Sequence, residues 1–303
     1  MIEINNKEFI NDYSNYLKID KNYSDNTVES YIRDIRFFLD YVNKNIIDIS
    51  KKDIDDYIVF NLSNYNENSI NRLIASIKGF FKYLSTYKGF INVSEEITSL
   101  KRKKVLPKYL SIEEVDKLLD IKLETPFDFR NKAILELLYS TGLRATELVN
   151  LELNNIDTVN MIVNVYGKGS KERIVPLSKI AINYLELYIN NYRDQLFVKG
   201  KKPTDILFLN NHGSKMTRQG LYKIIGKIAK EKNINKEITP HVLRHSFATH
   251  MIECGADIRS VQELLGHENV ITTEVYTHLA NNFIRDSYTE YFNRSTKEGE
   301  SNV

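Results

Sequence analysis

The sequence predicts a mainly α-helical protein with a small antiparallel β-sheet in its second half, arranged as two domains. Three observations carry this. Apolar residues recur at three- and four-residue spacing in long windows on the N-terminal side, the signature of amphipathic helices. The stretch Ser99–Lys108, SLKRKKVLPK, has five positive charges, no acidic residue and Pro107, and interrupts that pattern. Further on, GKGSKE separates Met161–Val165 from Arg173–Val175, a hairpin-like signal.

Taken in order, a first helix fits 7–18. Ser24 is a candidate N-cap for the second, whose stripe is Val28, Tyr31, Ile32, Ile35, Phe38, Leu39 and Val42. A third fits 51–61. Ile70, Leu73, Ile74, Ile77, Phe80, Phe81 and Leu84 mark a fourth. Four helices with short joins predict a small bundle over 1–98. Residues 99–110 form a basic linker. A charge run of this kind is ordinarily a solvated loop, but between two domains that touch one partner it serves equally as a strap along phosphates. The second domain spans 111–292. Ser111 and Glu114 form a capping box ahead of Val115, Leu118 and Leu119. A helix through Ala133–Tyr139 leads into STGLRATELVNL, the hairpin follows, and helices fit 179–193, 217–232, 240–253, 258–265 and 272–279. Residues 293–303 are a polar tail.

Composition bounds the function. The 303 residues are 42% hydrophobic and 27% charged, ordinary for a folded domain pair. With 42 Lys and Arg against 40 Asp and Glu the net charge is only +2, so any basic surface has to be local. Cys254 is the single cysteine, which excludes an intramolecular disulfide and suits a reducing compartment. The start, MIEINNKEFI, lacks the basic and apolar regions of a signal peptide, and no apolar stretch is long enough for a bilayer. The expectation is a soluble, cytoplasmic protein without a membrane partner.

Chemistry concentrates in 241–278, which holds five of the six histidines, as HVLRHSFATHM, then LLGH, then EVYTH. Histidine does acid–base work near neutral pH, and arginine grips a phosphate at two points. Tyr276 closes the run with a hydroxyl that can attack. The combination points to chemistry on a phosphate ester. His241, Arg244 and His245 share one helical face, opposite a stripe of Leu243, Phe247 and Met251; the bland alternative is a surface helix with incidental histidines. Arg144 follows Gly142, which allows an unusual turn, and Glu147 can hold its guanidinium, although a solvated Arg–Glu pair is common and weak. Two arginines from separate segments supply what a pentavalent phosphate needs as charge builds on its oxygens.

Lys168, between Gly167 and Gly169, can protonate a leaving alkoxide or contact DNA; a solvated lysine at a hairpin tip is the alternative, and Lys171 competes for the assignment. His267 follows Gly266, a helix-ending residue, and either points into the site or sits at the helix end for its dipole. Thr272 or Thr273 can cap a short helix that carries Tyr276, one of 19 tyrosines, most of which must be packing residues. His250 and His278 are structural or exposed. His241 and His245 have zinc-compatible spacing, yet Arg244 on the same face repels a cation and the pattern lacks the Glu of HExxH, so no metal is expected.

Together, TGLRATEL, GKGSKERIVPL, HVLRHSFATHM, LLGHENV and TTEVYTHL resemble the catalytic motifs of the tyrosine recombinase (phage integrase) family, in order and with similar gaps. The resemblance continues in LFLNNHGSKMTRQGL. It extends to the first domain, where DNTVESYIRDIRFFLDYV and NSINRLIASIKGFFKYL are similar to the family's core-site-binding helices. It is strongest to the Xer subfamily, bacterial recombinases that resolve chromosome dimers. The resemblance implies a two-domain clamp on duplex DNA. In it Tyr276 attacks the scissile phosphate to form a 3′-phosphotyrosyl link, and Arg144 and Arg244 hold the non-bridging oxygens. Lys168 is then the general acid to the 5′-oxygen, His241 handles the tyrosine proton and His267 hydrogen-bonds the phosphate. It implies no cofactor, and a tetramer on synapsed recombination sites, homomeric or with a second Xer-type recombinase. Rival readings are the same chemistry serving a mobile-element integrase or an inversion switch, a catalytically silent DNA-binding protein, and a metal-dependent nuclease.

Overall fold

The computed structural model of the chain describes residues 6–100, 109–166, 172–198 and 204–266. It divides into two compact units, Met1–Val105 and Leu106–Val303, each with its own apolar core.

Among the described residues the first unit has four α-helices, α1 (Asn6–Ile19), α2 (Asp25–Val42), α3 (Lys51–Leu62) and α4 (Glu67–Lys88). The stripe of α2 buries Val28, Ile32, Ile35, Phe38 and Leu39, with Tyr31 and Val42 at its margin. Every residue of the α4 stripe from Ile70 to Leu84 named above is buried. Ser24 is the N-cap residue of α2, but its hydroxyl pairs with Thr27 Oγ1 at 2.8 Å instead of a backbone N–H. Ser50 and Asp53 form a full capping box on α3. One carboxylate enters the α2–α4 seam. Asp34 accepts from Arg72 at 2.9 Å and Ser76 at 3.0 Å; burial pushes its pKa up, and the Arg72 charge opposes that.

The second unit opens with α5 (Ile112–Leu119), started by the Ser111–Glu114 capping box. Its central helix is α6 (Pro126–Thr141), buried without a break from Ala133 to Thr141 because neighbours surround it. A short α7 (Ala145–Asn150) follows. The sheet has three antiparallel strands, β1 (Ile156–Asp157), β2 (Ile162–Tyr166) and β3 (Glu172–Pro176), in the order β1-β2-β3. The hairpin pair was legible from the sequence; β1, at two residues, is too short to show alternation. The β2–β3 register sets Val163 opposite Val175 and Val165 opposite Arg173.

The helix expected over 179–193 ends early, as α8 (Lys179–Leu187), and rewinds into a wider turn at Tyr188–Tyr192 and a tighter one at Arg193–Leu196. The rewinding lets two buried polar side chains reach one segment. The Tyr188 hydroxyl donates to the Leu207 carbonyl, and the Arg193 guanidinium donates to the carbonyls of Thr204, Ile206 and Leu207. Left unpaired, those groups would each cost stability. The unit continues with α9 (Arg218–Glu231), α10 (Pro240–Glu253) and α11 (Ile258–Leu265). The helix expected over 272–279, most of the basic run 99–108 and the polar tail lie outside the described residues. Among those described, no helix is long and apolar enough to cross a membrane.

α10 departs from the expected division into a core face and a polar face. It packs against both α6 and α11, so Arg244, Ser246 and His250 are buried along with Leu243, Phe247 and Met251. His241 alone of its charged or titratable first-turn residues is exposed, and His245 is half-buried. Ser246 Oγ accepts from the Leu110 backbone N–H at 2.9 Å, and His250 Nδ1 pairs with the Tyr139 hydroxyl at 2.9 Å. His250 is therefore structural, and burial draws its pKa down.

Candidate active site

The end of α6, the start of α7, strand β3 and the end of α11 meet beside α10. Gly142, which closes α6, has φ +61, a left-handed conformation that costs an ordinary residue energy. A Cβ there would lie 2.6 Å from Leu265 Cδ2 and 2.8 Å from Phe247 Cδ1, so glycine is what lets α6 approach both helices. Its carbonyl accepts from Arg244 Nη1 at 2.6 Å.

Two residues on, Arg144 is the N-cap of α7. Its backbone N–H donates to Glu147 Oε2 at 2.7 Å and its Nη1 to Glu147 Oε1 at 2.9 Å. The solvated Arg–Glu pair considered from the sequence is not what forms. The Glu147 side chain is only 4% exposed, whereas Arg144 is 42% exposed. A second arginine secures the carboxylate from the other side. Arg173, on β3, donates Nη1 to Oε1 and Nη2 to Oε2, both at 2.8 Å. Burial pushes the Glu147 pKa up, but the Arg173 hydrogen bonds and charge, then the Arg144 contacts, outweigh it and hold it at about 2.

The C-terminus of α11 completes the cluster. The last carbonyls of a helix have no partner inside it and form the negative end of its dipole. Here three consecutive ones each accept from a different arginine: Leu264 from Arg173 Nε at 3.2 Å, Leu265 from Arg244 Nη2 at 2.7 Å, and Gly266 from Arg144 Nη2 at 3.1 Å. Arg144 and Arg244, a hundred residues apart in sequence, thus meet at adjacent peptides. Burial first, then the Arg144 charge, lowers the Arg244 pKa to about 10, with Glu147 acting in the opposite sense, so it stays charged at neutral pH. Three guanidinium groups face one carboxylate, and the surplus positive charge suits a phosphodiester.

His241 stands exposed in the first turn of α10, one turn before Arg244. Lys168 belongs to the stretch 167–171 between β2 and β3, and it, His267 and Tyr276 lie outside the described residues; His267 follows Gly266 directly in sequence. The residue that sequence reasoning missed is Arg173. Its signal was present in the strand register: pairing Val163 with Val175 puts Arg173 on the same face as Val163 and Val165, a charged residue aimed at the core.

Residues 108–282 match the Phage integrase family, and residues 10–88 match the Phage integrase, N-terminal SAM-like domain. The chain is 44% identical over 294 residues to Tyrosine recombinase XerD of Oceanobacillus iheyensis, covering 94% of this chain and 98% of that protein. It is 41% identical over 297 residues to Tyrosine recombinase XerD of Listeria monocytogenes serotype 4b, covering 95% and 99%. Among solved structures, it is similar to a XerH site-specific recombinase bound to its difH substrate in a pre-cleavage complex. That match has a TM-score of 0.65 and 25% identity, over 85% of this chain and 78% of the other. The chain belongs to the phage integrase family, as a tyrosine recombinase of the Xer type.

Proposed function

We propose that this chain cuts and rejoins duplex DNA at a specific site through a 3′-phosphotyrosyl intermediate, and that it serves chromosome dimer resolution in the cytoplasm. The observation that carries the chemistry is the convergence of Arg144 and Arg244 on adjacent carbonyls at the end of α11, around a carboxylate already saturated by donors. Full-length identity to XerD proteins supports the chromosomal role over a mobile-element one.

In this reading the Tyr276 oxygen attacks phosphorus and its proton passes to His241. The bond to the 5′-oxygen breaks, and Lys168 protonates that oxygen as it leaves. Arg144 and Arg244 hold the two non-bridging oxygens, and His267 donates a further hydrogen bond. The phosphodiester energy is kept in the tyrosyl ester, so attack by a 5′-hydroxyl from the partner duplex reseals the strand. The partner in synapsis is a further copy of the chain or a second Xer-type recombinase. A duplex recovered by selecting genomic fragments for binding, then nicked beside the cleavage point so that a short product escapes, tests this. A covalent adduct that forms with the unmodified chain and vanishes in Tyr276→Phe is expected. Tight binding with no adduct would show a silent DNA-binding protein, and EDTA-sensitive cleavage with free ends a nuclease.

A further inference from the structure

Each nitrogen of the Arg173 guanidinium donates to an acceptor within the unit. Nη1 and Nη2 hold both oxygens of Glu147 at 2.8 Å, Nε holds the Leu264 carbonyl at 3.2 Å, and the side chain is 15% exposed. Arg144 is built differently, with one Nη on Glu147, the other on the Gly266 carbonyl, and a side chain 42% exposed. A shared carboxylate ties the two together. Glu147 Oε1 accepts from both guanidinium groups, so where Arg173 fixes that oxygen, Arg144 is fixed as well. The same Arg173 side chain packs against the end of α11. A Cβ on Gly266, whose φ is +67, would meet Arg173 Cδ, Nε and Nη1 at 3.1 Å. Gly266 in turn accepts from Arg144.

We infer that Arg173 is a positioning residue of the site. It sets the Arg144 guanidinium through Glu147, and sets the end of α11, which leads in sequence to His267, through the Leu264 carbonyl. A planar fork is needed for this, because one donor pair must meet two oxygens while Nε turns to a third acceptor; a lysine supplies the charge but not the geometry. Its contribution lies in holding groups where the transition state needs them, not in gripping the DNA. The inference rests on the recombinase reading, and the experiment separates the two.

Single-turnover adduct formation is measured on the nicked duplex for the full chain, Arg173→Lys, Arg173→Gln, Glu147→Gln and the double variant Arg173→Gln/Glu147→Gln. Duplex affinity and melting temperature are measured alongside. The double variant removes both charges of the Arg173–Glu147 pair, so neither is left buried without its partner. Misplacing the clamp predicts an adduct rate lower by about 10²-fold in Arg173→Lys and in the double variant, at unchanged duplex affinity. Adding Arg144→Lys to the double variant then lowers the rate by less than it does in the unmodified chain, because Arg144 is already out of place. Recovery of both melting temperature and adduct rate in the double variant would make Arg173 merely structural and overturn the inference, as would additive losses with Arg144→Lys. Absence of any adduct from the unmodified chain overturns the recombinase reading and this inference with it.

Discussion

Arg173 and Glu147 meet fork to fork, each carboxylate oxygen 2.8 Å from one guanidinium nitrogen. Because Glu147 also accepts from Arg144 and is nearly inaccessible, its charge is compensated by neighbours instead of by water. The folded pKa of about 2 lies below the ordinary value of 4.5. A depressed carboxylate contributes stability that is present above the unfolded pKa and is lost as pH falls toward the folded one. Over the window from 4.5 down to about 2 that contribution amounts to roughly 3 kcal/mol. Glu147→Gln is therefore less stable than the unmodified chain at neutral pH, and the gap closes across that acidic window. Urea unfolding at a series of pH values reads this directly; a gap that keeps its size throughout would contradict it.

Arg244 is buried and spends its two terminal nitrogens on the Gly142 and Leu265 carbonyls. It thus joins α10 to the ends of α6 and α11, a structural role beside the one proposed for it at the phosphate. Arg244→Ala is expected to lose the two hydrogen bonds and leave carbonyls unpaired at a cost of about 1–3 kcal/mol. Arg244→Lys keeps the charge but can reach at most one of the two carbonyls, so its urea midpoint is measured beside its adduct rate to separate lost stability from lost chemistry. Its adduct rate on the nicked duplex should fall by about 10²-fold or more, with duplex affinity retained. Near-normal adduct formation by Arg244→Lys would remove Arg244 from the clamp.

The helices were legible wherever one face is buried and the other is wet. The α2 and α4 stripes, the Ser111–Glu114 cap on α5 and the Gly266 end of α11 were all readable because local chemistry decides them. Elements surrounded on all sides were harder. α10 carries arginine, serine and histidine inward, and only the structure shows the carbonyls and hydroxyls that satisfy them. The rewound turn after α8 was invisible for the same reason, since it answers to acceptors at 204–207 that no local pattern announces. At the site, Arg144 and Arg244 stood out as motif residues. Arg173 did not, because its role comes from strand register and from an acceptor on α11 far along the chain.

Two left-handed glycines at helix ends provide a controlled comparison. Gly142 and Gly89 have φ of +61 and +75, so alanine at either pays the left-handed backbone penalty of roughly 1–2 kcal/mol. At Gly89 nothing lies within 4 Å of an added Cβ, and that penalty is the whole effect. At Gly142 the methyl would also strike Leu265 at 2.6 Å and Phe247 at 2.8 Å, an overpacking cost of about 1–3 kcal/mol more. The displaced Leu265 carries the carbonyl that seats Arg244, so the damage reaches the site. Gly142→Ala should lower the urea midpoint of its unit more than Gly89→Ala lowers that of the first, and only Gly142→Ala should slow adduct formation on the nicked duplex. Equal shifts in midpoint and unchanged adduct rates in both variants would mean that the close approach of α6, α10 and α11 at Gly142 is not what holds Arg244 in place.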